Sequence, residues 1–128
     1  MKKSEERIQF EIVQWFRNNY CLNHHDPKCL IFSVPNDGKN MMEQMRKKST
    51  GLLAGASDLI VVLPNRIIFV EVKDEKGTQQ PNQKQFQADV EKLGFEYIVV
   101  RSLTHFSAHF SDFLGKMDMS IGRVIKND

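Results

Sequence analysis

The apolar positions of this chain fall into alternating helical and extended patterns, and their order predicts an α/β fold. Behind Ser4, a good N-cap, Ile8, Ile12, Trp15 and Phe16 recur at helical spacing and predict a first helix to about Asn19. Leu30-Ile-Phe-Ser-Val34 reads as a strand ended by Pro35-Asn36-Asp37-Gly38. Met41 to Lys48 suits a short helix with Met42 and Met45 turned inward. Asp58–Leu63 and Ile67–Lys73 are short runs rich in β-branched and aromatic residues, hence strands. Another helix is expected from Pro81, a favourable first helical position, to Gly94, burying Phe86, Val90 and Leu93. Phe95–Val100 then closes a β-helix-β unit, whose crossover is right-handed and whose strands are parallel. From Leu103 a final helix is expected, with Phe106, Phe110 and Phe113 as packing residues, and Met119 to Ile125 suits either a short strand or a dimer contact. The predicted architecture is a mixed central β-sheet of four or five strands flanked by helices, with an acidic cluster at one edge.

That cluster follows from the turn between the two central runs. Pro64-Asn65 is turn chemistry, and because proline cannot adopt positive φ, a loop slightly longer than the tightest hairpin is expected there. A hairpin symmetric about these two residues opposes Val62 to Ile67 and Asp58 to Glu71. Opposed residues have Cβ atoms roughly 4.5–5.5 Å apart and share a face. Alternation along the strand places Lys73 on that face beside Glu71. Two carboxylates this close repel each other unless something positive lies between them. Hard oxygen ligands, with the Val72 backbone carbonyl as a further candidate, suit Mg²⁺ or Mn²⁺ rather than Zn²⁺. The alternative is a cross-strand ion pair in which Lys73 neutralises both acids. Charges at the ends of such apolar strands favour the functional reading.

Around this core stand further candidates. Glu5 falls in the middle of the first helix's apolar face, where a carboxylate needs a partner; the alternative is an exposed first-turn acid favoured by the helix dipole. Arg46, Lys47 and Lys48, followed by small residues as far as Ser57, suit a phosphate-binding segment, with Asn36 as a further contact; a solvated basic helix is the alternative. Gln83 shares a helical face with Phe86, so its amide either reaches the acidic cluster or caps a loop. Cys21, His24, His25 and Cys29 match no standard zinc spacing and read as reduced thiols in a loop. His105 and His109 are four apart, but their phenylalanine neighbours favour packing.

The ordered set of residues resembles a known family. Asp58, twelve intervening residues and Glu71-Val72-Lys73 resemble the core motif of the PD-(D/E)XK nuclease superfamily, with Ser57 where that motif often has proline. More narrowly, the stretch from about Glu5 to Ser102 is similar to stand-alone VRR-NUC domains of phage and bacterial type. The likeness includes Val34-Pro35-Asn36, Gly51 and Gly55 before the aspartate, and Gln83 after the strand. It implies a restriction-endonuclease-like fold and a Mg²⁺- or Mn²⁺-dependent endonuclease acting on branched or duplex DNA, with four-way (Holliday) junctions among the substrates. It further implies Asp58, Glu71, Lys73, Gln83 and Glu5 as site residues, Glu5 reaching the metal through water, and a homodimer, for which the Met-rich loop and the C-terminal Phe face of this chain are the candidate surfaces.

Composition is compatible with this without demanding it. The 128 residues suit a single domain, with a core over about 4–102 and an extension over 103–128. A net charge of +2 neither requires nor forbids a nucleic-acid partner. No apolar run approaches a membrane span and the charged N-terminus has no signal-like segment, so a cytoplasmic chain is expected. Two rival classes remain: a catalytically silent nucleic-acid-binding module, and an RNA-processing nuclease of the same broad fold, which would need a His, Tyr and Lys set in place of a metal.

Overall fold

A computed structural model describes residues 2–35 and 40–110. The expectations for Asn36, Phe113 and the 119–125 segment lie outside the described residues. Along the chain run α1 (Glu5–Tyr20), β1 (Leu30–Ser33), α2 (Met41–Ser49), β2 (Leu59–Leu63), β3 (Arg66–Val72), α3 (Pro81–Lys92) and β4 (Glu96–Val100). A fourth helix, α4, covers 103–110. The strands form one mixed sheet in the order β1-β2-β3-β4, with β3 and β4 parallel and the other neighbours antiparallel. This is the predicted α/β architecture with four strands among the described residues.

Period-two alternation divides the sheet into two faces. Leu59, Val61 and Leu63 of β2 and Ile68, Val70 and Val72 of β3 join the buried core with Ile8, Ile12 and Phe16 of α1 and Phe106 and Phe110 of α4. The opposite face carries Phe69 and Tyr97, which pack against Phe86 of α3. Ser4 caps α1 as expected, its hydroxyl accepting the Arg7 N–H at 3.0 Å. Phe106 and Phe110 are buried, so α4 is a packing helix.

Several expectations need correction. The Pro64-Asn65 connection is not lengthened: Leu63 pairs directly with Arg66, leaving a two-residue turn. Proline occupies the first turn position and Asn65 supplies the positive φ, at 58°. That is the division of labour of a type II turn, in which only the second residue must be left-handed. Met42 and Met45 are 77% and 65% exposed, because α2 packs against no other strand or helix among the described residues. Leu93 is exposed too, since α3 ends at Lys92 and the chain turns away at Gly94. Finally, the acidic residues lie at the end of the two inner strands rather than at a sheet edge.

Candidate active site

The hairpin register delivers the central pair. Val62 faces Ile67 and Leu59 faces Val70, and Asp58, one residue before the last of these pairs, comes within electrostatic reach of Glu71. Asp58 itself precedes β2 in a bend, its backbone carbonyl held by the Val34 N–H at 2.9 Å. Its side chain prolongs the sheet: Oδ2 accepts the Val72 N–H at 2.7 Å, doing the work of a missing backbone partner. Asp58 is therefore anchored by both neighbouring strands.

Glu71 is the most enclosed acid. It is 1% exposed, and its Oε1 accepts from Tyr97 Oη and, at 3.0 Å, from Gln79 Nε2. Its other oxygen, Oε2, is buried without a hydrogen-bond donor, and lies 3.3 Å from Lys73 Nζ as an ion pair. Lys73, 6% exposed, donates to Gln83 Oε1 at 2.9 Å. Gln83 Oε1 also accepts the Gln80 N–H at 2.8 Å, at the start of α3. The two expectations for Gln83, a reach into the cluster and a local cap, thus hold together through one oxygen.

Glu5 is exposed in the first turn of α1 rather than buried on its apolar face, and approaches from the opposite face of the sheet, past the ends of the strands. Its Oε2 lies 3.4 Å from the Asp74 N–H, and a Cβ on Gly77 would stand only 3.0 Å from it. The 74–77 loop between Glu5 and Lys73 is tightly tied: Asp74 Oδ1 accepts the N–H groups of Lys76 and Gly77, and Arg101 donates to the Asp74 and Gly77 carbonyls. Glu5 is close enough to act on Asp58 electrostatically. Among the described residues, however, no three His, Cys, Asp or Glu side chains converge tightly enough to form a ready-made metal cage.

The charges act on Asp58 in a definite order. Burial raises its carboxyl above the ordinary range, the Val72 N–H opposes this, Glu71 and Glu5 push it further up, and Lys73 pulls it down. A carboxyl that is more basic in the folded state disfavours folding above its folded-state value. That penalty is relieved as pH falls through the folded-state value towards the ordinary one. In urea denaturation without metal, the stability of the wild type relative to Asp58→Asn is expected to decline with rising pH across this window. Parallel pH curves for the two proteins would contradict the electrostatics described. Tyr97 is shifted upward, chiefly by burial and then by its bond to Glu71, which keeps the phenol a proton donor.

The remaining candidates separate cleanly. Arg46 and Lys48 lie exposed on α2, and Lys47 is ion-paired with Glu43 at 3.0 Å. Ser57 is 1% exposed and directs its hydroxyl to the Leu59 carbonyl at 3.3 Å, so its side chain faces the protein interior. Cys21 and Cys29 are not joined in a disulfide. Sequence reasoning missed Tyr97 and Gln79. The alternation of β4 signalled that Tyr97 shares a face with Phe95, but which strand end it reaches depends on the parallel register. For Gln79, in a loop, the sequence held no signal.

A buried Glu71–Lys73 pair with a half-buried Asp58 lies at the end of the mixed sheet of an α/β protein, and comparison with known proteins places that fold. A solved structure titled "VRR_NUC domain protein" superposes with a TM-score of 0.68 at 19% identity, covering 86% of this chain and 87% of the other. A second, titled "VRR_NUC domain", gives a TM-score of 0.53 at 27% identity, covering 80% and 89%. Comparison with curated proteins returns no match. The profile of the VRR-NUC domain matches residues 3–103, and the chain belongs to that family. Its function is accordingly of nuclease type.

Proposed function

We propose that this chain is a Mg²⁺- or Mn²⁺-dependent endodeoxyribonuclease, its residues 1–128 acting as one nuclease domain in the cytoplasm. The observation that carries the reading is Glu71 Oε2, a buried carboxylate oxygen without a hydrogen-bond donor, set beside a buried ammonium and within electrostatic reach of Asp58. That oxygen has an ion-pair partner but no directed hydrogen bond, so it keeps lone pairs with which a metal ion would be bound. With Asp58 nearby and no soft ligand close at hand, the donor set fits a small hard ion. Asp58, Glu71 and the Val72 carbonyl are the residues that would hold it, with Glu5 contributing through water. Such an ion supplies the Lewis acidity that activates water and offsets charge on the phosphodiester.

The chain's own groups supply the rest. Hydrolysis adds a water oxygen to phosphorus, breaks a bridging P–O bond and returns a proton to the leaving alkoxide. Lys73 is aimed by Gln83 and its ammonium can steer the water or steady negative charge as it builds on the phosphate. Val72 N–H and the Tyr97–Gln79 pair hold Asp58 and Glu71, so little reorganisation accompanies reaction. Exposed Arg46 and Lys48 on the projecting α2, together with Lys47 and Asn36, are the proposed DNA contacts. A homodimer would present two such sites to the two strands of a branched substrate such as a four-way junction. A silent binding module would not need the buried Glu71–Lys73 pair, and an RNA enzyme of the metal-free kind would need a histidine near Lys73, which the described neighbours of that lysine do not include.

The test is a cleavage panel over linear, flap and four-way-junction DNA and RNA. EDTA is expected to stop all turnover, Mn²⁺ to restore it, and Asp58→Asn to remove it without unfolding. Turnover that persists in EDTA would sink the metal mechanism, and cleavage of RNA alone would reassign the substrate.

A further inference from the structure

Glu71 has two carboxylate oxygens with very different surroundings, and the difference has consequences for any ion that binds. A carboxylate oxygen offers two lone-pair sites. On Oε1 two donors are already in place, the Tyr97 hydroxyl and Gln79 Nε2. Neither donor is loose. Tyr97 is 7% exposed and its ring packs 6.0 Å from Phe86, while Gln79 is held at 2.9 Å by Gln87 Oε1 on α3. Oε2 has no hydrogen-bond donor.

We infer that Tyr97 and Gln79 are positioning residues that restrict Glu71 to one-oxygen coordination and so set the preference of the site for Mg²⁺ and Mn²⁺ over Ca²⁺. The physical basis is ligand number. Mg²⁺ demands a near-octahedral shell at short distance and is content with one oxygen from each carboxylate. Ca²⁺ gathers six to eight oxygens and commonly takes both from one carboxylate. A glutamate whose Oε1 is saturated cannot offer the second without losing a buried hydrogen bond. The same two donors fix the direction of Oε2, which favours the ion with the stricter geometry. Discrimination against Ca²⁺ is thus built into β4 and the loop before α3, away from the Asp-Glu-Lys motif itself. The inference rests on the metal-centre reading above.

Calorimetric titration of the EDTA-dialysed full chain with MgCl₂, MnCl₂ and CaCl₂ tests it. Tyr97→Phe keeps the ring against Phe86 and removes only the hydroxyl; Gln79→Ala removes the other donor from a partly exposed loop. Each is expected to weaken Mg²⁺ binding by about tenfold, the lower end for loss of a residue supporting a ligand, while Ca²⁺ binding is retained or strengthened, so that the Mg²⁺-to-Ca²⁺ preference narrows. A general loosening of the structure would weaken all three ions together and leave the preference intact. That result, or unchanged affinities in both variants, overturns the inference while the wild type still binds metal. If the wild type binds none of the ions and matches Asp58→Asn, the metal centre itself falls and this inference with it.

Discussion

Replacing Lys73 by alanine is expected to reduce DNA cleavage by at least about 100- to 1000-fold, the loss typical when one group stabilising transition-state charge is removed. The structure adds a second effect. Lys73 and Glu71 have side chains only 8% and 1% exposed, and their ion pair is 3.3 Å long. Removing one member of a buried pair leaves the other uncompensated, which costs roughly 3–5 kcal/mol. The metal-free variant is therefore expected to melt well below the wild type, and Mg²⁺ is expected to recover part of the difference by taking over the neutralising role. A Lys73→Ala/Glu71→Gln double variant separates chemistry from folding: it carries no orphaned charge, so stability returns while cleavage stays absent. Chemical denaturation and cleavage assays on the same preparations decide the matter. Wild-type cleavage by Lys73→Ala would remove the lysine from the mechanism. A single variant as stable as the wild type without metal would show that the pair is not the burden described.

Gly55→Ala is expected to be the most disruptive substitution outside the charged cluster. Gly55 is buried with φ +87°, and a Cβ there would lie 2.4 Å from the Asn82 carbonyl oxygen and 2.6 Å from its carbon. The left-handed conformation alone costs a non-glycine residue about 1–2 kcal/mol, and a clash with backbone adds to it because no flexible side chain can give way. Relief requires α3 to move, and its first turn carries Gln83, the hydrogen-bond partner of Lys73. The variant should lose both stability and Lys73 alignment. Gly51→Ala is the internal control: its φ is +117°, but a Cβ there meets nothing within 4 Å. It should show the conformational cost without the collision and retain cleavage. Equal losses in the two variants would mean that the contact between the Gly55 loop and α3 carries no weight.

The two glycines illustrate where sequence reasoning was strong and where it stopped. Both were recognisable as parts of the segment leading to Asp58, but nothing in the order of residues revealed that one rests on helix backbone and the other on open space. The same limit explains the methionines of α2: helical spacing predicted which positions share a face, and only the placement of that helix away from the sheet showed that the face is uncovered. Leu93 fell outside the apolar stripe of α3 because the helix stopped before it.

Within the site, the division has a clear physical cause. The approach of Asp58 to Glu71, and the placement of Lys73 beside Glu71, were determined by the chain alone, because antiparallel register across a short turn and two-residue alternation are properties of neighbouring covalent units. Family membership was legible for the same reason, since its residues recur at fixed spacing around that hairpin. Tertiary structure decided what surrounds the motif: that Gln83 holds Lys73, that Tyr97 and Gln79 occupy one oxygen of Glu71, and that Glu5 arrives from the far side of the sheet. Those meetings join elements far apart in sequence, through a parallel register and helix packing set by the whole core.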